Sequence, residues 1–207
     1  MQTKKLFLAS FTAYVMNYLI EFIGRDPKNI KVAFITTAAD LYTDKWFVDK
    51  DRDAFIRRGF KVTDVDIKHK NERELFDMLS KYDLVVVAGG YVFYMLEKSL
   101  ESGFDKVLNK LLAKGTVYVG GSAGAVLVGP SLLPVESLDD PSKAPLLKSF
   151  DGLGLVNFVV IPHSGEEKYK ERYDKILEKF KHFKYKIIPI TNKQAVEVVG
   201  DNYRIVG

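Results

Sequence analysis

The chain reads as an α/β protein in three layers, a mostly parallel sheet flanked by helices. Short β-rich runs alternate with amphipathic stretches from end to end, the pattern of stacked β-α units. Runs such as KVAFITTA (31–38) and DLVVVAGG (83–90) are apolar without alternation, as strands covered on both faces are. Helical stretches close on glycine, at Gly24 and Gly59. With 207 residues, 47% of them apolar, the chain is long enough for one well-cored domain over 1–207 and short for two.

Each element has its own justification. KLFLASF (5–11) is the first strand, and VMNYLIEFIG (15–24) a helix ended by Gly24. The second strand, 31–38, precedes a helix carrying Trp46, Phe47, Phe55 and Ile56 and ended by Gly59. KVTDVDI is the third strand, and NERELFDMLSKY (71–82) a helix capped by its asparagine. DLVVVAGG is the central fourth strand, followed by helices at 91–99 and 104–114 and by the strand TVYVG. A helix starts after Ser122. The stretch 130–147 is too long for a plain connector and is expected to carry function. FVVIPH (158–163), a helix over 168–180 and three strands (YKIIPI, QAVEVVG, NYRIVG) complete the chain.

Composition excludes several chemistries. There is no cysteine, which removes disulfides, thiolate nucleophiles and zinc–thiolate sites, and the three histidines are His69, His163 and His182. The net charge of +4 comes from lysines interleaved with acids, and the densest basic run, KFKHFKYK (179–186), fits a helix C-terminus leading into a strand. No nucleic-acid partner is expected. The apolar runs are too short to span a bilayer and the start lacks a secretory cleavage site, so the expected compartment is the cytoplasm. Neither a Walker lysine pattern nor G-x-G-x-x-G occurs, and no cofactor is expected.

The chemistry centres on VYVGGSAGA (117–125). Gly120-x-Ser122-x-Gly124 between a strand and a helix fits a nucleophile elbow, in which a strained turn lifts the serine hydroxyl out of the strand end. The Ala123 N–H would lie at the helix N-terminus, where free donors stabilise an oxyanion. A serine needs a base, and His163, ending an apolar strand in VVIPHSG, is the candidate; His69 and His182 lie in polar runs. The segment between them offers Glu136, Asp139, Asp140 and Asp151 as the acid, with Asp139-Asp140-Pro141 the most pointed because proline holds its predecessor extended. A simple turn explains that segment as well. Gly89 and Gly90 leave the fourth strand without Cβ atoms, which suits a second oxyanion donor or a phosphate.

Taken together, FITTA (34–38), VAGGYVFYML (87–96), YVGGSAGA (118–125) and VVIPH (159–163) resemble the dipeptidase E and cyanophycinase family of serine peptidases. The resemblance covers nearly the whole chain. It implies a class I glutamine amidotransferase-like (flavodoxin-like) sheet and no metal, with Ser122 as nucleophile, His163 as general base, and Gly90 and Ala123 as oxyanion donors. Asp140 is the best match to the family's acid, with Asp139 and Glu136 as alternatives. Gly89 and Tyr91 are expected at the substrate. Short peptides, including dipeptides with N-terminal aspartate, are the implied partners, and monomer or homodimer is left open. Two departures bear on specificity: Tyr91-Val92 stands where the family shows Asn-Thr, and Thr191-Asn192-Lys193-Gln194-Ala195 where it more often shows acids before Gln-Ala. A silent ligand-binding protein and a hydrolase of an aspartyl polymer are the competing readings.

Overall fold

The computed structural model describes residues 2–207. In chain order the strands are β1 (Lys5–Ala9), β2 (Lys31–Ile35), β3 (Lys61–Val65), β4 (Leu84–Val87), β5 (Val117–Gly121), β6 (Phe158–Ser164), β7 (Lys186–Thr191), β8 (Ala195–Val199) and β9 (Asn202–Val206). The helices are α1 (Met16–Ile23), α2 (Trp46–Arg57), α3 (Glu72–Leu79), α4 (Val92–Ser102), α5 (Phe104–Ala113), α6 (Ala123–Leu127) and α7 (Lys170–Lys179). Among the described residues no helix is long and apolar enough to cross a membrane.

Seven strands form one sheet in the order β3-β2-β4-β5-β1-β8-β9. The first five in that order are parallel, and β8 and β9 extend the sheet as antiparallel strands. The three-layer arrangement follows from the period of two along each strand. In β1, Leu6 and Leu8 join a core with α3 to α6, whereas Phe7 and Ala9 join a second core with α1 and α2. The central strands divide likewise, so both faces are buried, as their unbroken apolar runs predict.

Register decides where the site forms. Ala9 pairs with Gly121 across β1 and β5, and Val87 with Gly120 across β4 and β5. Consequently Ser10, Ser122 and the Gly89-Gly90 pair leave three neighbouring strands at one carboxyl edge, where open α/β sheets bind their ligands.

Two details differ from the sequence reading. The second strand ends at Ile35, and Thr37–Ala39 form a helical turn, because the Ala38 carbonyl accepts the Tyr91 N–H at 2.7 Å instead of continuing a ladder. The strand carrying His163 does not join the main sheet either. β6 and β7 form a separate parallel pair that packs, together with α7, on the same core as α3 to α6.

Candidate active site

The elbow is strained as its sequence suggests. Ser122 has φ 46° and ψ −106°, a conformation unusual for a residue with a side chain, and its N–H is fixed to the Ala9 carbonyl at 2.9 Å. Close packing explains the small neighbours: a Cβ on Gly120 would strike the Gly124 carbonyl, and one on Gly124 the Val87 carbonyl. Ala123 opens α6, whose first amides have no intrahelical acceptor. Gly90 has φ 142° with the Ala38 carbonyl pressed where a Cβ would stand, so only glycine fits there.

His163 meets this serine from the other layer. It sits at a register shift in β6 with φ 69°, and its Nε2 is 2.9 Å from Ser122 Oγ. Its backbone N–H donates to Ser10 Oγ at 2.8 Å, which ties the β6–β7 pair to the end of β1. On the far side of the ring, Nδ1 lies 2.7 Å from Asn192 Oδ1. The protonation state of the ring follows from these partners. Glu166 Oε1 takes a hydrogen from Asn192 Nδ2 at 2.8 Å, which turns the amide oxygen toward the imidazole. The Ser10 hydroxyl, 3.2 Å from Nδ1, spends its proton on the same amide oxygen at 2.8 Å. Nδ1 therefore carries the hydrogen, and Nε2 is free to accept the Ser122 proton. Burial lowers the His163 pKa below its ordinary 6.5, only partly offset by the bond to Asn192, so the ring is a neutral base at neutral pH.

The acid expected from the sequence is not at the histidine. Asp140 is exposed and caps the turn Pro141–Lys143, accepting from the Ser142 N–H at 3.0 Å and Oγ at 2.7 Å, and these bonds lower its pKa. Its neighbour Asp139 points inward, but its carboxylate accepts the Val92 N–H at the start of α4 and the Asp140 N–H at 2.7 Å. Burial raises the Asp139 pKa. Glu136 pairs with Lys179 at 3.7 Å, and Asp151 accepts from Ser149. In their place stand Asn192 and Ser10. The signal for Asn192 was the departure in Thr191–Ala195; nothing in the sequence marked Ser10.

Tyr91 is also placed differently from expectation. Its ring stacks on Tyr42 at 4.6 Å and is not among the residues that line the cleft, whereas Tyr42 is, its pKa pushed up to about 12 by burial. Gly89 and Gly90 do line the cleft, which has a volume of about 670 Å³ and is bounded by Val135, Leu138 and Asp139 from the long loop. A buried carboxyl, Asp51 of α2, lies under the elbow: a Cβ on Gly121 would stand 3.2 Å from its Oδ2. Among the described residues no group of three or more His, Asp and Glu side chains could hold a metal ion.

Comparison with known proteins gives this arrangement its context. The family model described as Peptidase family S51 matches residues 6–206, nearly the whole chain. The chain belongs to peptidase family S51. This S51 chain is 32% identical over 204 residues to an uncharacterized peptidase of Pasteurella multocida, spanning 99% of the chain and 98% of that protein. It is 30% identical over 151 residues to peptidase E of Nostoc sp., spanning 72% of the chain and 58% of the relative. A crystal structure of a provisionally named peptidase E from Listeria monocytogenes superposes with a TM-score of 0.91 at 31% identity, covering 99% of this chain and 98% of that one. The S51 chain is thus an enzyme, a serine-type peptidase on the three-layer α/β fold.

Proposed function

We propose that the protein acts as a single unit, 1–207, in the cytoplasm, hydrolysing short peptides through Ser122, His163 and Asn192. The observation that carries the reading is the 2.9 Å contact between Ser122 Oγ and His163 Nε2 on a strained elbow that opens into a cleft. Ser122 Oγ attacks the scissile carbonyl as Nε2 takes its proton. The carbonyl oxygen, now negative, turns to the N–H groups of Gly90 and Ala123. Asn192 Oδ1 holds Nδ1–H throughout, so the imidazolium keeps its orientation and hands the proton from Nε2 to the leaving amine. Water then releases the acyl group by the same route in reverse.

An amide in the third position fixes the tautomer as a carboxylate would, but brings no charge of its own to the imidazolium. Glu166, hydrogen-bonded to the far end of Asn192, supplies negative charge one step removed. Loop residues Val135, Leu138 and Asp139 wall the cleft, which favours short peptides over a polymer.

The test is hydrolysis of a dipeptide panel beside labelling by a fluorophosphonate. Ser122→Ala and His163→Ala should each lose about 10³-fold or more in kcat while unfolding as the parent does. Undiminished hydrolysis by Ser122→Ala overturns the proposal.

A further inference from the structure

One face of the cleft is built almost wholly of rings. Phe11, Tyr14, Tyr42, Trp46 and Phe47 line it. The rings run in series, with centroids 4.9 Å apart from Tyr14 to Phe11 and 6.0 Å from Phe11 to Trp46. The series continues at 6.0 Å from Trp46 to Phe47 and 5.2 Å from Phe47 to Tyr42. Trp46 remains 55% exposed, an apolar surface that folding leaves uncovered. This face reaches the nucleophile: a Cβ on Gly89 would lie 3.3 Å from Ser122 Cβ and 3.7 Å from the Phe47 ring.

The lining lysines lie on the opposite side, where Glu166 also lines the cleft. Lys168 and Lys193 are the cations that line the cleft among the described residues, and both come from the segments that carry His163 and Asn192. On the aromatic face the lining titratable groups, Asp44 and the buried Asp51, are carboxyls. Lys50 is turned to the rings themselves, 2.7 Å from the Tyr14 hydroxyl and over the Phe11 ring at 5.3 Å.

Catalytic geometry orients a peptide between these faces. His163 must reach the leaving nitrogen, so the leaving residue lies on its side, with the lysines, and the acyl residue lies away from it, against the rings. An aspartate side chain in the acyl position would be desolvated among rings and carboxyl groups, where the nearby Lys50 ammonium is already held by the Tyr14 hydroxyl and the Phe11 ring. An aromatic or branched side chain would bury its surface there, and a free α-ammonium suits both the ring faces and the acidic groups.

Resting on the serine-peptidase reading above, we infer that the preferred substrates are dipeptides with an aromatic or large aliphatic N-terminal residue, their C-terminal carboxylate turned to Lys168 and Lys193. The family's aspartyl preference does not carry over to this cleft.

The experiment compares kcat/KM for Phe-Leu, Leu-Leu, Ala-Leu, Asp-Leu and the amide of Phe-Leu, with fluorophosphonate labelling of Ser122 measured in parallel. Phe-Leu and Leu-Leu should exceed Asp-Leu by at least about tenfold, the order of discrimination an apolar pocket provides. Amidation should raise KM. Trp46→Ala, at an exposed position that leaves the core intact, should raise KM for Phe-Leu about tenfold and lower the ratio of kcat/KM for Phe-Leu to that for Ala-Leu. Fastest cleavage of Asp-Leu by a protein that labels at Ser122 overturns the inference and spares the peptidase reading. So does labelling without cleavage of any Phe or Leu dipeptide. Absence of both labelling and cleavage removes the peptidase reading itself, and the inference with it.

Discussion

Asp51 should make the protein less stable as pH rises, and the size of the effect follows from its surroundings. Its carboxyl is 7% exposed and faces no cation at bonding distance; its Oδ1 accepts the Ala13 N–H at 2.7 Å. Burial, only partly offset by that bond, raises its pKa from 3.8 to about 7. The folded state therefore holds a proton that the unfolded state has released throughout that interval. Stability is full below the unfolded pKa, falls as pH rises through the interval, and levels off above about 7. At about 1.4 kcal/mol per unit, the whole interval is worth about 4 kcal/mol, and the part between about pH 5 and pH 7 roughly 3 kcal/mol. Asp51→Asn keeps the acceptor for Ala13 and places a neutral amide near the Thr12 hydroxyl, which has no other partner. Urea unfolding of both proteins at pH 5, 6, 7 and 8 (about four curves each) should show the variant free of the roughly 3 kcal/mol decline. Parallel curves for the two proteins would refute the reasoning, because they would mean that Asp51 ionises in the fold as it does in water.

Three further outcomes follow from the site. Asn192→Ala should lower kcat about 10²-fold by freeing the imidazole tautomer, whereas Asp140→Ala should leave kcat unchanged; the reverse ranking would restore the aspartate to the mechanism. Because burial depresses the His163 pKa, the acidic limb of kcat/KM should fall at a pH below 6.5, and a limb above that value would contradict the buried neutral base. Asp139→Ala should cost about 1–2 kcal/mol in thermal or urea unfolding, since it removes the carboxylate that caps α4 and pins the long loop.

Much of this was legible before the structure. Strand runs with no polar alternation predict a doubly covered sheet, and the split of Leu6 and Leu8 from Phe7 and Ala9 is how a single strand serves two cores. Ser122 and His163 were legible because their local sequences are unusual: glycines and alanines around a serine, and a histidine closing an apolar run. The third partner was not. A search for chemistry looks for a carboxylate, whereas the ring nitrogen needs only an oxygen at the right distance, and Asn192 reaches it through the turn between β7 and β8. Asp140 was favoured for the proline that follows it; the same proline starts the short turn that the carboxylate caps, exposed to solvent. Tyr91 shows a related limit. Standing beside Gly90 places its backbone at the site, but its N–H bonds to Ala38 and its ring stacks on Tyr42, which is the tyrosine that lines the cleft.

The Ser10 hydroxyl receives the His163 N–H and donates to Asn192, so the beginning, the middle and the end of the chain meet in one small network. No fragment that stops short of Asn192 contains all of its members. A chain cut before that residue lacks the oxygen that faces His163 Nδ1, so the orientation of the imidazole depends on a segment close to the far end of the sequence.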